Sequence, residues 1–243
     1  MTAPLLIARN VVAGYVAGLP IVHDVSCEVS PGEIVTIIGP NGAGKSTFLK
    51  AIAGLVRFEG GSVTHDGRDV SGLPAHEMVR VGVGFVPQTG NIFTNLSIHE
   101  NLVLGGHTLA AQELKRRLAR AYDVSPFLAG RKTSLGRVLS GGQRQMLAVA
   151  RALMTDPKLI MLDEPTAGLA PKVVDEVFAD LRRLAQSGVA VLMVEQNAKA
   201  ALRISDRGYV LAEGRNRMQG KAADLLTDSA VGEAFLGGRK HAS

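Results

Sequence analysis

Gly39, Pro40, Asn41, Gly42, Ala43, Gly44, Lys45, Ser46 and Thr47 carry the G-x-x-x-x-G-K-S spacing of a phosphate-binding loop. Glycines permit positive φ and let main-chain N–H groups approach phosphate oxygens closely. Lys45 can bring a point charge to the outer phosphates, and the Ser46 hydroxyl can ligate Mg2+. A helix starting here adds its positive dipole end. Ser140, Gly141, Gly142 and Gln143 stand at a second apparent helix start, where a hydroxyl and main-chain N–H groups make another anion-binding end. The apolar run from Leu159 delivers Asp163 and Glu164, followed by Pro165. Asp163 is placed to hold Mg2+, directly or through water. Glu164 is a candidate general base for an attacking water. Its plainer reading is a loop or helix-start acid with no catalytic task.

These groups need elements to hold them. Ile34–Ile38 is a short β-branched run ending in glycine and predicts a buried strand. Ser46–Ala53 then predicts a helix closing at Gly54, so strand, glycine loop and helix follow in the order a phosphate cradle requires. Buried strands are expected at Lys158–Asp163 and Val189–Glu195, with helices at Gly142–Met154 and Pro171–Ser187 before them. That alternation implies an α/β fold with a mainly parallel sheet and right-handed crossovers. Leu5–Asn10, Val25–Ser30 and Gly61–His65 alternate and are bounded by turns, which predicts an antiparallel β layer. Residues 89–138 read as a small helical insertion. Within it, Ala110–Tyr122 puts Leu114, Leu118, Ala121 and Tyr122 on one face and Arg116, Arg117 and Arg120 mostly away from it. The expected organisation is one domain over 1–243, with a core about 1–88 and 139–236 and a frayed polar tail from 237.

Hydrophobic content of 46% and charged content of 20% are ordinary for a globular chain, and no window is long and apolar enough to span a membrane. The first residues lack the basic flank and apolar stretch of a signal peptide. A single cysteine, Cys27, excludes an internal disulfide and fits a reducing cytoplasm. The histidines show no metal-site spacing. Net charge is +5, yet Lys/Arg runs are short and aromatic content is 4%, so nucleic acid is not an expected partner.

Taken together, the phosphate loop, Leu139-Ser-Gly-Gly-Gln143 and Leu159–Pro165 resemble an ABC-type ATPase, with Walker A loop, signature and Walker B strand. The resemblance covers residues 5–236. It implies a P-loop NTPase core, an antiparallel β layer and a small helical subdomain. It also implies ATP and Mg2+ as ligands, and a head-to-tail dimer in which one subunit's signature completes the other's site. Tyr15 matches the family's adenine-stacking aromatic, with a core or turn tyrosine as the alternative. Gln88, after Phe85-Val-Pro, matches the glutamine that contacts Mg2+ and the attacking water, with a solvent-facing loop amide as the alternative. Gln196 stands where most members have histidine. It can donate to a γ-phosphate but cannot carry charge. Ala170 replaces an aspartate usual at the dimer contact. With Asn95–Leu102 and the ending Ala234–Gly238, these departures resemble the second ATPase of bacterial branched-chain amino-acid importers. Importers of urea, amides or other small solutes are close relatives, and a soluble ABC ATPase of DNA repair or translation is the alternative of another class. The subgroup implies transmembrane permease subunits, a companion ATPase or a homodimer, and indirectly a periplasmic or extracellular solute-binding protein. It places the chain at the cytoplasmic face of the cell membrane.

Overall fold

The computed structural model describes residues 3–228 and 231. The expected tail and the Ala234–Gly238 ending lie outside them. In chain order the first elements are β1 (Leu6–Gly14), β2 (Val22–Val29), β3 (Ile34–Ile38), α1 (Lys45–Ile52), β4 (Arg57–His65) and β5 (Arg68–Asp69). Next come α2 (Ala75–Arg80), β6 (Val83–Val86), α3 (Ile98–Gly105), α4 (Ala111–Val124) and α5 (Pro126–Ala129). The remainder is α6 (Gly141–Leu153), β7 (Leu159–Asp163), α7 (Pro171–Gln186), β8 (Ala190–Val194), α8 (Ala198–Ile204), β9 (Arg207–Ala212), β10 (Arg215–Lys221) and α9 (Ala222–Thr227).

One sheet has the order β10-β9-β3-β8-β7-β6 and is parallel except for the β10 hairpin at its edge. The other, β2-β1-β4-β5, is antiparallel. Every residue of β3, β7 and β8 is buried, as the continuous apolar runs require of strands covered on both faces. Successive side chains go to opposite sides. Val35, Ile37, Leu159, Met161, Leu192 and Val194 pack towards α1 and the antiparallel sheet. Ile34, Ile160, Leu162, Val191 and Met193 pack towards α6 and α7. In α7, Val174, Val177, Phe178, Leu181 and Ala185 form the buried stripe at helical spacing.

The strands expected at the start are longer than predicted, because β1 and β4 continue through bulges to Gly14 and back to Arg57. The helical insertion contains α3, α4 and α5. On α4, Leu114, Leu118, Ala121 and Tyr122 pack against the core as expected. Arg117 does not point away: it is only 14% exposed, bonded to Glu113 at 2.5 Å and Asp156 at 2.6 Å. Its aliphatic stem packs while its charge is paired, which an apolar-face count cannot register.

Candidate active site

Parallel neighbours β3, β8, β7 and β6 release their following loops at the same edge of the sheet, the edge at which ligands bind in open α/β folds. The loop after β3 is the phosphate cradle. Gly39 (φ 150) could carry no side chain, because a Cβ there would lie 2.0 Å from the Leu211 carbonyl oxygen. Gly44, at φ 90, turns the chain into α1, whose N-terminus has no side-chain cap. Its first N–H groups are therefore donors for an anion. Lys45 Nζ lies over the loop, donating to the carbonyls of Gly39 at 2.9 Å and Pro40 at 3.0 Å. Burial holds the Lys45 pKa below its usual value, against the upward pull of Glu164, Asp163 and Glu195.

Asp163 ends β7 and is 3% exposed. Its Oδ1 accepts from Ser46 Oγ at 2.7 Å, and Lys50 Nζ is 3.7 Å from Oδ2. A hydroxyl and a carboxylate meeting beside a phosphate cradle fit Mg2+, which takes one or two protein oxygens and fills its octahedron with phosphate and water. Among the described residues there is no cluster of three or more His, Cys, Asp or Glu side chains able to hold a metal alone, and that chemistry does not need one.

Glu164 adopts φ 48, left-handed backbone that costs a non-glycine residue about 1–2 kcal/mol. Its N–H donates to the Val194 carbonyl at 3.0 Å, and its Oε2 accepts from Gln88 Nε2 at 2.7 Å. Gln196, beyond β8, donates through Nε2 to Asn41 Oδ1 at 2.9 Å. Ile21, Asn41–Thr47, Gln88, Glu164 and Gln196 line one hollow of about 550 Å3. The structure thus joins residues 41, 88, 163, 164 and 196, far apart in sequence, around the loop.

Two expected groups are not in that hollow. Tyr15 is 56% exposed and lines a separate one with Leu55, Val56 and Arg57. Ser140 and Gln143 form a capping box at the start of α6, Ser140 Oγ accepting from the Gln143 N–H and Gln143 Oε1 from the Ser140 N–H at 3.0 Å. Gly142 is required by packing: a Cβ would lie 2.2 Å from Val173 Cγ1 of α7. The sequence sets Glu195 beside Gln196 but points to no role for it or for Thr166. The acid before Gln196 was visible, but nothing local signalled that it is 2% exposed and bonded to the turn after Glu164.

A parallel sheet that brings a phosphate loop, a strand-end acid pair and two amide side chains to one edge defines a P-loop nucleoside triphosphatase. Residues 22–167 match the family described as ABC transporter, and the chain belongs to that family; it is an ABC-type ATPase. It is 40% identical over 233 residues to the high-affinity branched-chain amino acid transport ATP-binding protein BraG of Pseudomonas aeruginosa, covering 96% of this chain and all of BraG. Identity to the probable branched-chain amino acid transport ATP-binding protein LivF of Archaeoglobus fulgidus is 41%, over 93% of this chain and 95% of that one. The lipopolysaccharide export system ATP-binding protein LptB of Escherichia coli K12 is 36% identical, over 96% and 97%. Among solved structures, the ADP conformation of MJ1267, an ATP-binding cassette of an ABC transporter, superposes with a TM-score of 0.85 at 28% identity, covering 97% of this chain and all of that one. A dimeric structure of MJ0796, a bacterial ABC transporter cassette, gives 0.76 at 27%, covering 89% and 98%.

Proposed function

We propose that this ATPase powers uptake of branched-chain or other hydrophobic amino acids through separate transmembrane permease subunits, at the cytoplasmic face of the membrane. The observation that carries the reading is near-full-length similarity to BraG and LivF; Glu195-Gln196-Asn197 and Gly168-Leu-Ala-Pro171 add the resemblance to the branched-chain importer subgroup. Among the described residues no helix is long and apolar enough to cross a membrane, so the pathway would belong to other subunits.

In the proposed hydrolysis, the loop Gly39–Gly44 and the α1 N-terminus take the phosphates, and Lys45 leaves the Gly39 and Pro40 carbonyls for them. Ser46, Asp163 and Gln88 would hold Mg2+, which supplies charge neutralisation on the phosphate oxygens. Glu164 accepts the proton of the attacking water, and Gln88, already bonded to its carboxylate, orients that water. Gln196 donates a neutral hydrogen bond to the γ-phosphate. Tyr15, exposed at the end of β1, offers its ring to adenine. The Ser140–Gln143 end of α6 closes the site of a second subunit, a companion ATPase or another copy, since it does not line the phosphate hollow of its own chain. The similarity to LptB makes an exporter the competing assignment.

The test is isolation of the intact complex from its native membrane, followed by reconstitution in vesicles with the copurifying solute-binding protein. ATP-dependent accumulation of leucine, isoleucine or valine is expected. Accumulation of urea or amides alone would move the substrate assignment, and copurification with lipopolysaccharide export components would overturn import.

A further inference from the structure

Glu195 directly follows β8 and is 2% exposed. A carboxylate buried this deeply needs a cation or a full set of hydrogen-bond donors. It forms no ion pair among the described residues; its partners are donors from two places in the chain. Oε1 accepts from the Thr166 N–H at 3.0 Å and from Thr166 Oγ1 at 2.8 Å, while Oε2 accepts from the Gln196 N–H at 3.2 Å. Thr166 lies two residues beyond Glu164, in the turn whose other attachment to β8 is the Glu164 N–H on the Val194 carbonyl.

We propose that Glu195 is a positioning residue for ATP hydrolysis, its carboxylate locking the Glu164–Thr166 turn to Gln196 so that the base and the γ-phosphate contact move as one unit. The idea deepens the reading of Glu164 as the base and rests on it. Two features support a positioning role over burial alone. The first is that the turn it holds is unfavourable by itself: Glu164 sits at φ 48, so some fixed contact must keep the backbone there. The second is where the bonds run. Two end on Thr166, in the turn that carries Glu164, and one on Gln196 itself, and none ends on α1, which carries Lys45 and Ser46. Removing the carboxylate therefore releases the hydrolytic groups while the phosphate-binding helix keeps its own anchors. Misplacement of a reacting group by about 1 Å can cost on the order of a hundredfold in rate.

The chemistry of the carboxylate sets the order of the variants. Glu195→Gln keeps the volume but turns one acceptor into an NH2 donor, so it can satisfy Thr166 or Gln196 but not both. Glu195→Ala removes every bond. Thr166→Val keeps the shape and the main-chain bond and removes the hydroxyl. Each would be made in the full chain, with thermal unfolding followed by circular dichroism, ATP affinity by a fluorescent ATP analogue, and steady-state kcat and KM. Expected are kcat losses of about fivefold to twentyfold for Glu195→Gln and about a hundredfold for Glu195→Ala, with affinity within about threefold. Thr166→Val and Glu195→Gln should combine non-additively in kcat, because they cut the same link. If the alanine variant fails to fold, the glutamine and valine variants carry the test. Wild-type kcat in a folded Glu195→Gln protein would overturn the proposal, as would a change in KM with kcat untouched. Glu164→Gln, assayed alongside, separates the two ideas. Normal turnover there removes the base itself, whereas an inactive Glu164→Gln beside a fully active Glu195→Gln removes only the positioning role.

Discussion

Lys45 and Glu164 line the same hollow, and their different chemistry separates binding from turnover. Lys45 is a charge whose partners in the structure are two neutral loop carbonyls, groups that a phosphate outcompetes because it adds an opposite charge to the hydrogen bond. Lys45→Ala should weaken ATP binding by roughly ten- to a hundredfold, the equivalent of about 1.5–3 kcal/mol. Glu164 acts on water rather than on phosphate, so Glu164→Gln should leave affinity within a few-fold and reduce kcat by about 10²–10⁴. Equilibrium nucleotide binding and single-turnover hydrolysis on the same preparations check both. Equal losses in binding for the two variants would show that the carboxylate belongs to the ground-state site instead. At this scale most of the residues that gather at the hollow were legible, because the loop, the strand-end acids and the glutamines stand in short motifs with fixed chemistry. What was not legible is pairing: Ser46 with Asp163, Gln88 with Glu164, and Gln196 with Asn41 join residues separated by 76 to 155 positions.

At the scale of elements, strands buried on both faces announced themselves through apolar runs, and α7 through its stripe. The hairpin β9–β10 was missed although Glu213 and Gly214, both at positive φ, make the two-residue turn that suits it. β10 reads Arg-Asn-Arg-Met-Gln-Gly-Lys with alternately exposed residues, an edge strand whose polarity hides it from a hydrophobicity pattern. Ala170, just before the helix start expected at Pro171, is the N-cap of α7 and offers no side-chain acceptor for the first N–H groups. Ala170→Asp should therefore raise stability by about 1 kcal/mol, or about 2–4 °C in unfolding midpoint for a chain of this size. An unchanged or lower midpoint in thermal unfolding would mean that the aspartate cannot reach those donors. At the end of β4, His65 is 1% exposed and neither ring nitrogen makes a hydrogen bond. Burial holds its pKa below the usual histidine value, outweighing the upward pull of Asp66 and of the Val81 main chain, while Lys158, paired to Asp66 at 2.5 Å, pushes the same way as burial. The folded state then binds its proton less readily than the unfolded chain. Stability should fall as pH drops below about 6.5, by up to about 1.4 kcal/mol per pH unit until the folded pKa is passed. Denaturant titrations between about pH 7 and 5 on wild type and His65→Phe check this, with the variant expected to lose that part of the slope. Identical slopes would show that the ring finds a partner when protonated.

On the scale of the whole molecule, the decisive fact is what one chain does not bring together. The α6 N-terminus, built by Ser140 and Gln143 and pressed against α7 at Gly142, does not line the phosphate hollow of its own chain; in the proposed head-to-tail arrangement it would complete the site of a second subunit. The chain's own residues bear on which subunit that is. Gln196 offers the γ-phosphate a neutral amide, already engaged with Asn41, where a protonated histidine would give a bond roughly twice as strong. Ala170 offers no carboxylate where the family resemblance implies an aspartate at a dimer contact. In the proposed dimer Gln196 would weaken a γ-phosphate contact and Ala170 a contact by which one composite site senses the other, which fits one member of an unequal pair whose companion carries the histidine and the aspartate. The expected outcome is that the purified chain hydrolyses ATP slowly and that Gln196→His raises kcat by about two- to tenfold, the range of a gain of about 0.5–1.5 kcal/mol in the transition state. Steady-state hydrolysis on the isolated chain, with mass spectrometry of the native complex to count its ATPase subunits, checks both halves of the argument. Two copies of this chain without a second ATPase, or full turnover by the isolated wild-type protein as a homodimer, would leave Gln196 sufficient by itself and end the case for an unequal pair.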